Sequence, residues 1–272
     1  MRESILIVVL ASFTLGLNGI APIHAASMPE TRPDFSNGYI KPDNLPNSLE
    51  LLPQPPAEDP TSAAWLRDLV INRGSILLRD TPRWRLARQD AEIRFPQLLD
   101  TFSCALNSRI TENDAPHIFK VLFKARGDAA TATAKAKNKY KRTRPFVENN
   151  EPTCKPEDNE FLKTNFSYPS GHSSVGWAWA LILSEIDPDH IDAILARGLA
   201  FGDSRVVCNV HWESDVEEGR VIAAGVVARL HGDAEFLKDL KKAKEEFVEM
   251  RKKGIKPARD CAAEAAAMSM RP

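Results

Sequence analysis

Apolar positions recur at helical spacing along most of the chain. Ile118, Val121, Leu122 and Ala125 follow the i, i+3, i+4, i+7 pattern of one helix face, which predicts a helix over residues 117–140. Thr111 to Pro116 is the start signal before it. Phe236, Leu240, Ala243 and Phe247 form a second such stripe, on a lysine-rich helix over 235–253. Further helices are expected over 63–80, capped by Asp59 or Thr61, and from Pro82 through Ile93 with proline at the first helical position. Phe95-Pro96 interrupts the latter, and 97–108 resumes it. Residues 170–185, 191–201 and 211–231 complete the set, the last with small residues at Ala223, Ala224 and Gly225 suited to close packing. Strict alternation is scarce and no internal repeat exists. The expectation is an all-α helical bundle.

Two stretches break this texture. Residues 5–17 are almost wholly apolar, follow a charged start and lead to small residues at Ala25, Ala26 and Ser27. That is the form of a secretory signal peptide, expected over 1–25, and the run is too short for a retained span. Residues 26–60 are rich in proline, including Pro33, Pro42, Pro46, Pro53, Pro55 and Pro56. They are expected to form an extended arm over the domain or a loose leader. A single helical domain over 61–272 follows. The longest later apolar segment, residues 175–186, carries Ser184 and Glu185 and stops at Pro188, so no membrane span is expected after processing.

Composition narrows the setting. Lys plus Arg number 36 against 37 Asp plus Glu, for a net charge of −1. This balance gives no basis for nucleic acid as a partner. Four cysteines remain after the leader: Cys104, Cys154, Cys208 and Cys261. An even count behind a signal peptide suggests two disulfides and a periplasmic or secreted protein, with three pairings open. No cysteine or histidine spacing suits a metal site, and no cofactor is implied.

Three short clusters carry chemistry. Lys137 and Arg144 are seven residues apart, about two helical turns, so both can point one way from a helix that ends before Pro145. Arginine offers a planar fork for phosphate oxygens and lysine a point charge. Ser170-Gly171-His172 opens the helix that follows Tyr168-Pro169. Its hydroxyl, backbone N–H groups and dipole favour an anion, Gly171 permits close approach, and His172 is placed to exchange a proton. Ser204-Arg205 precedes His211 and Asp215. Those two are four apart and share a face if both are helical, so that Asp215 would fix the His211 tautomer and leave its other nitrogen free. Together these are the parts that phosphoryl transfer requires. The remaining histidines, His24, His117, His190 and His231, match no motif, and Trp177 and Trp179 are expected in the core or lining the pocket.

Lys137-x6-Arg144-Pro145, Pro169-Ser170-Gly171-His172 and Ser204-Arg205-x5-His211-x3-Asp215 resemble the three-part signature of the type 2 phosphatidic acid phosphatase superfamily. With Gly176-Trp177-Ala178, residues 204–208 and residues 211–216, the chain is similar over about 63–247 to bacterial class A non-specific acid phosphatases. Ser167, Asp203, Asn209 and Glu213 depart from that group, where Gly, Gln, Gly and Gln are expected, and the two extra acids bear on which phosphoesters enter.

The resemblance implies the helical bundle of the acid phosphatase and vanadium haloperoxidase type. It implies a metal-independent hydrolysis of small phosphomonoesters of broad range through a phosphohistidine. His211 would be the nucleophile, Asp215 its orienting carboxylate and His172 the general acid and base. Lys137, Arg144, Ser170, Gly171 and Arg205 would hold the phosphate. It also implies a Cys154–Cys208 disulfide, which leaves Cys104 for Cys261. Vanadium-dependent haloperoxidases share the signature and are the alternative enzyme class, and a non-catalytic phosphate-binding protein is the alternative outside enzymes. The oligomeric state stays open, with a homo-oligomer among the arrangements allowed.

Overall fold

Helix-start chemistry lays out the elements of this computed structural model, in which residues 37–270 are described. The expected signal peptide and the first part of the proline-rich arm lie outside those residues. α1 (Ser48–Leu51) is capped by Asn47, α2 (Ala63–Ile76) by Ser62 and α3 (Pro82–Asp90) by Thr81 with proline behind it. The α2 cap is therefore neither Asp59 nor Thr61. A 3-10 turn, Gln97–Phe102, stands where a longer helix was expected. Then come α4 (Pro116–Ala132), α5 (Ala134–Tyr140), α6 (Pro145–Asn149) and α7 (Asn159–Thr164). The second half holds α8 (Gly171–Ile186), α9 (Ile191–Val207), α10 (Glu213–Leu230), α11 (Ala234–Lys252) and α12 (Cys261–Met268). Among the described residues there is no strand, and the fold is all-α.

α8 is the centre of the bundle, packed by α9, α10 and α4, with α11 outside α4. Val175, Trp179, Ile182 and Leu183 are fully buried, and the Trp179 indole N–H donates to the Leu122 carbonyl at 2.9 Å. α8 and α9 approach closely because each brings a glycine to the crossing. A Cβ on Gly176 would come 2.2 Å from the Phe201 ring, and one on Gly198 would come 2.4 Å from Ala180 Cβ. Phe201, fully buried there, contributes about 1.5–3 kcal/mol of apolar burial. A smaller cluster, including Ala87, Phe146, Leu162, Val207 and Val210, lies under the loops that carry the signature residues.

The long helix expected over 117–140 is interrupted at Thr133, whose hydroxyl donates to the Ala130 carbonyl at 2.7 Å. The described part of the proline-rich segment is docked. The Tyr39 and Ile40 N–H groups donate to the Asp128 carboxylate at 2.8 and 3.1 Å. Ser48 Oγ accepts from Ala136 N–H at 3.1 Å, and the Tyr168 hydroxyl donates to the Pro53 carbonyl at 2.6 Å.

Candidate active site

The first cluster is split between two helices. α5 stops at Tyr140, where Lys141 takes a left-handed conformation (φ 47°), and Arg144 is the extended residue that caps α6 before Pro145. The single helix expected to present both Lys137 and Arg144 does not form. The turn between α5 and α6 directs them to one place all the same. Lys137 Nζ donates to the carbonyls of Phe166 and Ser167 at 2.6 and 3.3 Å. Arg144, 4% exposed, donates to the carbonyls of Asn165 (2.7 Å) and Val210 (2.8 Å), and its Nη1 lies 2.9 Å from His211 Nε2.

Ser170 caps α8. Its hydroxyl oxygen accepts from Ser173 N–H at 3.2 Å and from Ser173 Oγ at 2.9 Å, and its own N–H donates to the Asp215 carbonyl at 2.8 Å. In front of Gly171 the protein leaves open space, since an added Cβ would meet only Thr133 Oγ1 at 3.9 Å. Half-buried His172 sits over the Phe201 ring, with its Nε2 3.3 Å from the Ala91 carbonyl.

The third cluster lies at the other end of a capping box. His211 precedes α10, Trp212 is its cap residue, and Asp215 is at the third helical position, where Oδ2 accepts Trp212 N–H at 2.9 Å. The two motif residues therefore do not share a helix face, and they meet by this local turn instead. His211 Nδ1 lies 3.2 Å from Asp215 Oδ2. A guanidinium can only donate, so the Arg144 contact requires a bare Nε2 and places the ring proton on Nδ1, toward Asp215. The Ser167 hydroxyl also donates to Asp215 and stands 3.3 Å from His211 Nδ1. Arg205 is 2% exposed, and its buried Nε has no hydrogen-bond partner among the described residues.

The site is electrostatically unfinished. The hydrogen bonds of Lys137 and Arg144 go to carbonyls, an amide and His211 rather than to carboxylates. Burial, with Arg144 beside it, pushes Lys137 far below its usual pKa. Burial likewise brings Arg144 down to about 9, helped by Arg205, and Arg205 down to about 10. Both histidines are held well below 6.5, first by burial and then by the arginines: Arg144 for His211, Arg205 for His172. Asp215 differs. Burial would raise its pKa, but Arg142 and His211 hold it below the usual carboxylate range, so it stays ionised.

Sequence reasoning missed the groups behind Asp215. Arg142 Nη1 reaches Asp215 Oδ1 and Ser214 Oγ, both at 2.7 Å, and its Nη2 reaches Asp68 at 2.7 Å. Its guanidinium lies beside the Trp65–Trp212 ring pair, 5.8 and 5.6 Å from the ring centres. Arg142 stands in a basic run, and nothing in the sequence separates it from the solvated lysines around it. Asp203 pairs with Arg220 at 2.5 Å, and with Glu213 it lines a cavity of about 290 Å³ that none of the signature side chains joins. Both disulfides, Cys104–Cys261 and Cys154–Cys208, are formed.

The pattern of the PAP2 superfamily matches residues 121–235, a span that holds all three clusters. The chain is 43% identical over 248 residues to the non-specific acid phosphatase of Providencia stuartii, covering 89% of this chain and 98% of that protein. It is 39% identical over 203 residues to the acid phosphatase of Zymomonas mobilis, covering 75% and 76%. It is 38% identical over 212 residues to the non-specific acid phosphatase of Salmonella typhimurium, covering 77% and 83%.

Proposed function

The chain belongs to the PAP2 superfamily, among the non-specific acid phosphatases, and from that premise we propose that it hydrolyses phosphomonoesters through a phosphohistidine on His211, without a metal ion. The observation that carries this reading is a set of cations with no carboxylate partner, of which Arg144 and Arg205 are buried and Lys137 is half-buried, gathered around a histidine whose Nε2 is bare. A phosphate group supplies the missing negative charge. Lys137, Arg144 and Arg205 hold its oxygens, with the Ser170 hydroxyl and the Gly171 N–H at the start of α8. The names of the relatives favour hydrolysis over halide oxidation by a vanadium enzyme.

The incoming phosphate draws Arg144 away from His211 Nε2, which then attacks phosphorus in line with the ester oxygen. The P–N bond forms as the P–O bond breaks. Asp215, kept ionised by Arg142, balances the positive charge that grows on His211. His172 gives its proton to the leaving alcohol. That role needs a protonated ring, and the bound phosphate raises the depressed His172 pKa by supplying the counter-charge. His172 then takes a proton from water, hydroxide attacks the phosphohistidine, and phosphate leaves with His211 restored. The cations do the neutralising that a divalent metal does elsewhere.

Rapid acid-free quench during turnover should trap phosphate on His211, and activity should persist in excess chelator. Phosphate trapped on His172 would reverse the two roles, and activity lost in chelator and restored by a divalent metal would reject the metal-free mechanism. The apolar leader and the two disulfides support export to the periplasm or beyond. Cell fractionation tests this, with recovery in the cytoplasm as the contrary result.

A further inference from the structure

One buried carboxylate near the site takes no part in the chemistry above. Asp90, fully buried, is the last residue of α3. Its Oδ1 accepts Arg197 Nη2 at 2.5 Å, and its Oδ2 lies 3.2 Å from Arg197 Nη1 and 2.6 Å from Ser204 Oγ. Arg259 adds a longer ion pair at 3.5 Å. Arg197 and Ser204 both belong to α9, so Asp90 fastens the end of α3 to that helix. Each side of the fastening touches the candidate site. The next residue after Asp90 is Ala91, whose carbonyl lies 3.3 Å from His172 Nε2. The next residue after Ser204 is Arg205.

A carbonyl oxygen only accepts, so the Ala91 contact requires a proton on His172 Nε2 whether the ring is neutral or charged. The neutral ring then keeps its lone pair on Nδ1, and Nδ1 becomes the atom through which a proton enters and leaves. Should the carbonyl move away, the two tautomers become comparable, and part of the enzyme carries its proton on the wrong nitrogen.

We infer that Asp90 is a positioning residue: by holding α3 against α9 it keeps the Ala91 carbonyl on His172 Nε2 and so makes Nδ1 the working nitrogen of His172. The kinetic side of this inference rests on His172 being the acid; the tautomer does not.

The test uses the full chain labelled with ¹⁵N-histidine, with a His172→Ala spectrum to assign the ring. The unmodified protein should show a neutral His172 protonated on Nε2. Asp90→Asn should show mixed tautomers. Arg197→Lys, which keeps the charge but loses one arm of the fork, should show them to a smaller extent and serves if Asp90→Asn does not fold. In the folded variants, turnover of an alkyl phosphate should fall about tenfold more than turnover of an activated aryl phosphate, part of the 10²–10⁴ that a general acid supplies. An Nδ1 proton in the unmodified protein overturns the inference. So does an unchanged tautomer in a folded variant, or equal losses with both esters where His172→Ala itself discriminates between them. If His172→Ala itself fails to discriminate between the esters while the tautomer shift is seen, the acid role falls and the positioning role stands.

Discussion

Asp215 is ionised in the interior because Arg142 is there, and Arg142 is held by Asp68 and two tryptophan rings. Arg142→Gln would leave two buried carboxylates without their cation. The expected outcome is a loss of about 3–5 kcal/mol in urea denaturation, together with a fall in kcat. The depressed cations lead to a second expectation. Lys137 and His172 sit well below their ordinary pKa values and Arg144 near about 9, and a bound dianion raises all three. Phosphate binding at pH 8 should therefore draw protons from the buffer. Calorimetric titrations in two buffers of different ionisation enthalpy check this, and equal heats would mean that the site is already fully charged. Asn209 stands where the resemblance implies glycine, and the structure accommodates it. Its φ is 61°, in the left-handed region that favours glycine and tolerates asparagine. Its side chain repays the substitution by bonding Asn72, Asn149 and the Glu151 carbonyl. The signature residues were legible because their spacing is fixed by short loops and caps, whereas Arg142 reaches Asp215 from 73 positions away and Asp68 reaches Arg142 from 74, in a chain with 36 basic and 37 acidic residues.

The N-terminus of α8 is set by α10. Gly219 faces the Ser170 carbonyl so closely that an added Cβ would come 2.6 Å from that oxygen and 2.9 Å from Ser173 Cβ. Gly219→Ala should cost about 1–3 kcal/mol of stability and weaken competitive inhibition by vanadate, because the helix start must shift. Gly225→Ala, whose Cβ would meet the tip of Leu51 at 3.1 Å and Pro46 at 3.6 Å, away from the site, is the control expected to change inhibition little. Helical periodicity revealed the principal helices because their buried stripes span several turns. It misjudged ends wherever a side chain rewired the backbone. Asp215 takes the Trp212 N–H and starts α10 after His211, and a His-x3-Asp spacing looks the same in mid-helix and at such a start. α7 and α12, of six and eight residues, are too short to impress a period on the sequence.

Across the molecule, two covalent ties span very different lengths of chain. Cys104–Cys261 closes a separation of 157 residues and Cys154–Cys208 one of 54. Chain entropy assigns them about 5 and about 4 kcal/mol respectively. Replacing each pair by serine should lower stability in that order in non-reducing urea denaturation. Activity should suffer more from the shorter tie, since Cys208 lies between Arg205 and His211. The cations that no carboxylate neutralises have one more effect. In the proposed mechanism they grip the PO₃ group, which an ester and free orthophosphate have in common, and hold nothing of the alcohol. The enzyme is therefore expected to bind what it releases. Progress curves should bend early, and adding orthophosphate at the start should reproduce the bend. Such a catalyst governs itself: it runs fast where orthophosphate is scarce and idles once its surroundings are replete.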